Sequence, residues 1–123
     1  MTTTTPKIAS DQDTVDAMKL AVVDAIEDIK GFDISVMDVR KLTSMTNYMI
    51  VASANSSRQA KAIADNVREK LKEKGFAIRG TEGEKEGEWV LVDLDDIVVH
   101  IMVPATRAYY NLEQLWGEAE NRR

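Results

Sequence analysis

The residues best suited to chemistry lie in a short acidic run, "DLDD", at Asp93 to Asp96. Asp93 and Asp95 are two apart, so on one strand their carboxylates would point the same way and could hold a divalent ion against the phosphates of a nucleotide. A companion exists in "ASANSS", residues 52–57, a small-residue loop running from an apolar strand into a helix N-terminus, where backbone N–H groups and the helix dipole could cradle phosphate. Together they define the enzymatic alternative, a small metal-dependent nucleotidyltransferase. Plainer explanations are stronger for both. Asp is favoured in hairpin turns, and Ser and Asn are favoured helix caps. A cradling loop also wants Gly for close backbone approach, and here it has Ala54. His100 is the only histidine, and no motif marks a Ser or Cys nucleophile near it, so a general base or ligand there has little support. No catalytic residue, metal ligand or cofactor is assigned.

The element that must position these acids is "GEWVLVDLDDIVVHIMV", Gly87 to Val103, which reads as two strands turning back at Leu94-Asp95. That turn pairs Asp93 with Asp96, Val92 with Ile97, Leu91 with Val98, Val90 with Val99 and Trp89 with His100. Alternation then puts Val90, Val92, Ile97, Val99, Ile101 and Val103 on one face, all β-branched, as a sheet covered by helices requires. The other face carries Trp89, Leu91, Val98, His100 and Met102, with Asp93 and Asp96 at its edge. Since aliphatics already fill the first face, Trp89 either lies under a helix on the far side of the sheet or meets a partner. The hairpin alone leaves both open.

The rest of the chain supplies a frame for that hairpin. Residues 1–10 are Thr-rich and without periodicity, and are expected to form a disordered tail before a single domain spanning 11–120. From Asp13, the stripe Val15, Met18, Val22, Ala25, Ile26 and Ile29 predicts a helix stopped by Gly31. "FDISVMDV" predicts a strand in which Ile34, Val36 and Asp38 alternate with Asp33, Ser35 and Met37. The nearly continuous apolar run "NYMIVASA" predicts a central strand covered on both sides. "SSRQAKAIADNVREKLKEKG" is the clearest helix, with a capping-box spacing at Ser56 and Gln59, a stripe of Ala60, Ile63, Ala64, Val67 and Leu71, and Gly75 at its left-handed end. "FAIRG" predicts a short strand and "TEGEKEGE" a charged loop. After Pro104, "ATRAYYNLEQLWGEAE" predicts a helix with Leu112, Leu115, Trp116 and Ala119 on its apolar side. The order α-β-β-α-β-β-β-α makes an α/β (α+β) domain with a mixed five-stranded sheet packed by helices.

Composition narrows the function. A chain of 123 residues holds one ordinary domain, and its lack of cysteine excludes disulfides and thiol chemistry. "MTTTTPK" lacks the apolar run of a signal peptide, and no stretch of about 18 apolar residues is present, so a soluble cytoplasmic protein without a membrane partner is expected. The net charge of -5 repels phosphate backbones, and no basic stripe interleaved with aromatics offsets it. A basic protein partner is therefore favoured over nucleic acid read by sequence. Arg40 with Lys41, and Arg58 with Lys61 and Arg68, are the basic candidates, and solvated charge is the stronger explanation of each.

Several runs together resemble the ribosomal silencing factor family, also called the Iojap family: "TNYMIVAS", "SSRQAKAIADNV", "GEWVLVDLDDIVVHIMV" and "RAYYNLEQLW". The resemblance extends from about Asp13 to Trp116. Its specificity lies in Arg58-Gln59, Trp89, Asp93, His100 and the pattern Arg107, Tyr110, Leu112, Glu113, Leu115, Trp116 occurring in that order. It implies a fold resembling the nucleotidyltransferases without demonstrated catalysis. It also implies a translational repressor that binds the large ribosomal subunit through the fourteenth protein of the large-subunit series. The surface occupied would be the one that meets the small subunit, so the subunits cannot join and translation is damped in starvation or stationary phase.

The same resemblance places the contact on the Trp-bearing hairpin. Trp89 becomes an exposed anchor, Leu91, Val98, His100 and Met102 its apolar surround, and Asp93, Asp95 and Asp96 an acidic rim facing a basic protein. Tyr110 and Glu113 are expected at the border of that site, and a homodimer of the free protein is left open. This chain departs from the family pattern in Thr46-Asn47-Tyr48, where Thr-Asp-Tyr is usual, and in Ala54, where Gly is usual. Both departures remove features an enzyme would use for charge or phosphate approach, and leave a protein-binding face intact.

Overall fold

The computed structural model describes residues 12–112. Within them the chain forms α1 (Gln12–Asp28), β1 (Phe32–Asp38), β2 (Tyr48–Ser53), α2 (Ser57–Glu73), β3 (Gly80–Glu82), β4 (Trp89–Asp93), β5 (Ile97–Met102) and α3 (Pro104–Tyr110), in the predicted order. The strands make one mixed sheet in the order β1-β2-β5-β4-β3, in which β2 and β5 run parallel and the other neighbours antiparallel. All of β2 is buried, as its apolar run requires of a strand covered on both sides. The expected tail over 1–10, and the expected apolar positions Leu115, Trp116 and Ala119, lie outside the described residues.

The apolar stripes of α1 and α2 face one side of the sheet. Val15, Val22 and Ile26 meet Ile63, Val67 and Leu71 over Ile50, Val90, Val92, Ile97, Val99 and Ile101, all fully buried. Each such side chain contributes about 1.5–3 kcal/mol when removed from water. On the other side, Met37, Val39, Met49, Val51 and Met102 form a smaller cluster against which Trp89 and Leu112 pack. Gln59 ties the two covering helices together: its side-chain amide donates to the carbonyls of Ile29 (2.9 Å) and Lys30 (3.2 Å) at the end of α1.

Three local expectations are corrected. The hairpin turns one residue later than its sequence suggested, at Asp95-Asp96, so Trp89 stands opposite Met102, Val90 opposite Ile101, Leu91 opposite His100, Val92 opposite Val99 and Asp93 opposite Val98. The reason is Leu94, which is 2% exposed within the main core and cannot sit at a solvated tip. Because the partner of each residue moves by two, every side chain keeps its predicted face. The strand expected at "FAIRG" forms instead at Gly80–Glu82, since Phe76 N–H closes the end of α2 on Leu71 O and Ile78 packs on the core.

At the end of α1, Lys30 takes the left-handed conformation (φ 68) and the N–H of Gly31 closes on Ile26 O at 2.9 Å. Gly31 is required for space, because a Cβ there would overlap Ile26 Cγ2. The last helix is also interrupted. Asn111 takes φ 48, donates its N–H to Arg107 O and ends α3, a conformation that Asn tolerates better than most residues.

Candidate functional site

The hairpin face away from α1 and α2 gathers most of the predicted contact residues, at very different depths. Trp89, Leu91, Asp93, Asp96 and Val98 are partly exposed and Asp95 is exposed, whereas His100 is 6% exposed and Met102 fully buried. Met102 belongs to the smaller cluster and underlies the surface; it has no area to offer a partner. Glu113 lies outside the described residues.

Three aromatic side chains step outward from His100. The indole N–H of Trp89 donates to Nδ1 of His100 at 2.9 Å, across the diagonal of the hairpin. Tyr110 of α3 lies over the Trp89 ring, with centroids 4.6 Å apart and planes tilted by 49°. Tyr109 meets Tyr110 edge-on at 5.0 Å. Exposure rises along this series to 51% at Tyr110 and 82% at Tyr109. The last helix therefore does border the hairpin. Arg107 holds it there, reaching across the sheet end to donate to Ser53 Oγ at 2.7 Å and Ser35 Oγ at 3.4 Å. Tyr110 follows Arg107 by three residues, so both project from one side of the helix.

Because Nδ1 of His100 accepts a hydrogen bond, the proton of the neutral ring is on Nε2. That atom is buried and has no hydrogen-bond partner among the described residues. Burial pushes the imidazole down to about 4, so the ring is neutral at physiological pH.

The acids arrange a turn. Asp93 Oδ1 accepts the N–H of Asp95 at 2.9 Å, and Asp95 takes φ 75 while Asp96 N–H closes on Leu94 O at 2.9 Å. Asp95 also pairs with Arg79 at 2.6 Å. Asp96 has its carboxyl raised above the usual range by burial, helped by the neighbouring charge of Asp95. The rim is thus acidic but partly compensated, and Asp93 and Asp95 have the roles of turn residues.

The "ASANSS" loop likewise engages its own groups. Ala54 N–H bonds Met102 O, Asn55 N–H bonds the Gln59 side-chain oxygen, and Ser56 Oγ caps Gln59 N–H at 3.1 Å. Of the basic candidates, Arg40 is paired with Asp38, and Arg68 with Asp65 and Glu84. Among the described residues no group of three His, Cys, Asp or Glu could hold a metal ion, and no helix is long and apolar enough to cross a membrane.

Tyr109 was not singled out by the sequence, although its adjacency to Tyr110 was the available signal. Arg107 appeared there only as part of a family pattern. Its positioning role depends on Ser35 and Ser53, which are distant in sequence.

Residues 12–123 match the family model described as ribosomal silencing factor during starvation. A ribosomal silencing factor of Chromobacterium violaceum is 58% identical over 99 residues, covering 80% of each chain. A crystal structure of a protein from the same organism superposes with a TM-score of 0.82 at 52% identity, covering 84% of this chain and 86% of that one. A more distant mouse relative bears the name mitochondrial assembly of ribosomal large subunit protein 1; it is 32% identical over 87 residues, covering 68% of this chain and 38% of its own length. The chain belongs to the ribosomal silencing factor family.

Proposed function

We propose that this chain represses translation by binding the large ribosomal subunit, through the fourteenth protein of the large-subunit series, and blocking the surface that the small subunit needs. The observation that carries this reading is Trp89: a large aromatic, partly exposed, beside Tyr110 on the face that also carries Leu91 and Val98, with the carboxylates at the turn end of that face. Such an arrangement suits a protein interface with an aromatic anchor and a rim complementary to a basic partner. Family membership supports a ribosomal target, and the name of the mouse relative supports the large subunit. The action is steric and cytoplasmic, with no bond made or broken, and the contact residues are Trp89, Leu91, Asp93, Asp95, Asp96, Val98 and Tyr110.

Co-sedimentation tests it. The purified protein is expected to travel with isolated large subunits and not with small subunits, and to reduce the joined particles formed when small subunits are added. Equal association with large subunits, small subunits and joined ribosomes would count decisively against a block of joining.

A further inference from the structure

His100 shares the face of Trp89, yet at 6% exposure it presents almost no area to a partner. Its polar contact is with the anchor itself: Nδ1 accepts the indole N–H of Trp89 at 2.9 Å. An indole has a single donor and no acceptor, so one fixed acceptor distinguishes the ring orientation in which that donor is satisfied from those in which it is not. Tyr110 covers the same ring at 4.6 Å, which leaves the indole held at its nitrogen by one element and across its plane by another.

We infer that His100 is a positioning residue whose Nδ1 holds the Trp89 indole in the orientation that meets the partner. This inference rests on the reading of Trp89 as the anchor of the ribosomal contact. The choice of histidine follows from the surroundings. A carboxylate acceptor at this depth would be costly to desolvate, whereas a neutral imidazole accepts through Nδ1 and its remaining N–H can stay on Nε2. Holding the ring before encounter removes part of the ordering cost of binding, so releasing it weakens affinity without removing any contact area.

Asn and Gln separate this role from mere filling of space. The side-chain oxygen of Asn can stand where Nδ1 stands, one bond from Cγ, while that of Gln lies one methylene further out. The measurement pairs affinity for isolated large subunits with the indole N–H resonance of Trp89 in the free, nitrogen-15-labelled protein, assigned by its disappearance in Trp89→Phe. His100→Asn is expected to keep the hydrogen-bonded resonance position and an affinity within about threefold of wild type. His100→Gln and His100→Leu are expected to shift the resonance toward that of free indole and to lower affinity about tenfold, with a folded backbone spectrum in each.

Wild-type affinity or an unmoved indole resonance in folded His100→Leu would overturn the assignment. So would equal behaviour of the Asn and Gln variants, a comparison that decides the matter even if the Leu variant does not fold. Full affinity in Trp89→Ala would instead overturn the anchor reading, and the resonance, recorded with no ribosome present, would still report whether His100 holds the ring.

Discussion

Tyr110 of α3 and Trp89 of β4 meet as a tilted ring pair at a centroid separation of 4.6 Å, although they are 21 positions apart in the sequence and neither belongs to the main core. The contact makes one surface of the hairpin and the last helix. It also places Trp89 between two alternatives that are usually exclusive, since the ring packs on a small apolar cluster beneath it and remains open to solvent at its side.

That intermediate position sets the expected effect of Trp89→Ala. A fully buried aromatic costs about 3–5 kcal/mol of stability when cut to Ala, and a half-buried one about half of that. A central interface anchor costs about 2 kcal/mol or more of binding. The variant is therefore expected to melt several degrees below wild type yet stay folded at 25 °C, while its affinity for large subunits falls more than tenfold. Urea unfolding and co-sedimentation on one preparation would check both. A folded variant of undiminished affinity would remove Trp89 from the site.

The route by which Trp89 enters β4 gives a second prediction. Gly83 has φ 82, and a Cβ there would overlap the carbonyl oxygen of Trp89. Gly83→Ala thus combines a left-handed backbone position with a clash against main chain, which cannot swing aside as a flexible side chain would. A loss of roughly 2 kcal/mol or more is expected, with a disturbed Trp89 environment in near-ultraviolet circular dichroism. Gly80→Ala, where no atom of the described residues lies within 4 Å of the added atom, is the matched control and should change stability by under about 1 kcal/mol. Equal stability of the two variants would show that the close approach at Trp89 is not constraining.

The fold was legible where pattern and propensity agreed. The stripes of α1 and α2, the unbroken apolar run of β2 and the split of the hairpin into aliphatic and Trp-bearing faces all follow from periodicity. The hairpin register was not legible, because choosing between turns one residue apart depended on the burial of Leu94, a tertiary fact. Face assignment survived for a geometric reason: moving the turn by one moves each pairing by two. In the candidate site, the presence of Trp89 and the acids could be read, but depth could not. Nothing local distinguishes Leu91, partly exposed, from Met102, fully buried in the cluster against which Trp89 and Leu112 pack. The contact of Tyr110 with Trp89 depends on Arg107 meeting serines from two strands, which no spacing within α3 encodes.

The carboxylate rim should act on the rate of encounter. Asp95 lies on the left-handed turn and is half-compensated by Arg79, so the conservative change is to Asn, which keeps the turn chemistry and removes charge. Asp95→Asn with Asp96→Asn is expected to slow association with large subunits severalfold at low salt, to flatten its dependence on ionic strength, and to leave dissociation nearly unchanged. Stability should move by no more than about 1 kcal/mol, since the Arg79–Asp95 pair is exposed. Association kinetics followed by light scattering would show this. An unchanged salt dependence would mean that these acids serve only the turn.

His100 predicts how stability depends on pH. Its folded value is lowered from 6.5 to about 4 by burial, so below pH 6.5 the unfolded chain takes up a proton that the folded chain refuses. Stability from this source is complete above 6.5 and is lost progressively as pH falls toward 4; below 4 both states are protonated and the loss stops growing. Between pH 7 and pH 5 the loss is about 2 kcal/mol. The paired carboxylates act in a separate window. Asp38, held low by its hydrogen bonds from Arg40, and Asp28, held low by Lys70, withdraw their contributions only as pH falls below the usual carboxylate range. Asp96, raised by burial, acts in the opposite sense and favours the folded state as it protonates. Urea denaturation at pH 7 and pH 5 should therefore show a clear destabilisation in wild type that is largely absent in His100→Asn, whose side chain does not titrate. Equal pH dependence in the two proteins would show that His100 takes up its proton as readily in the fold as in the unfolded chain.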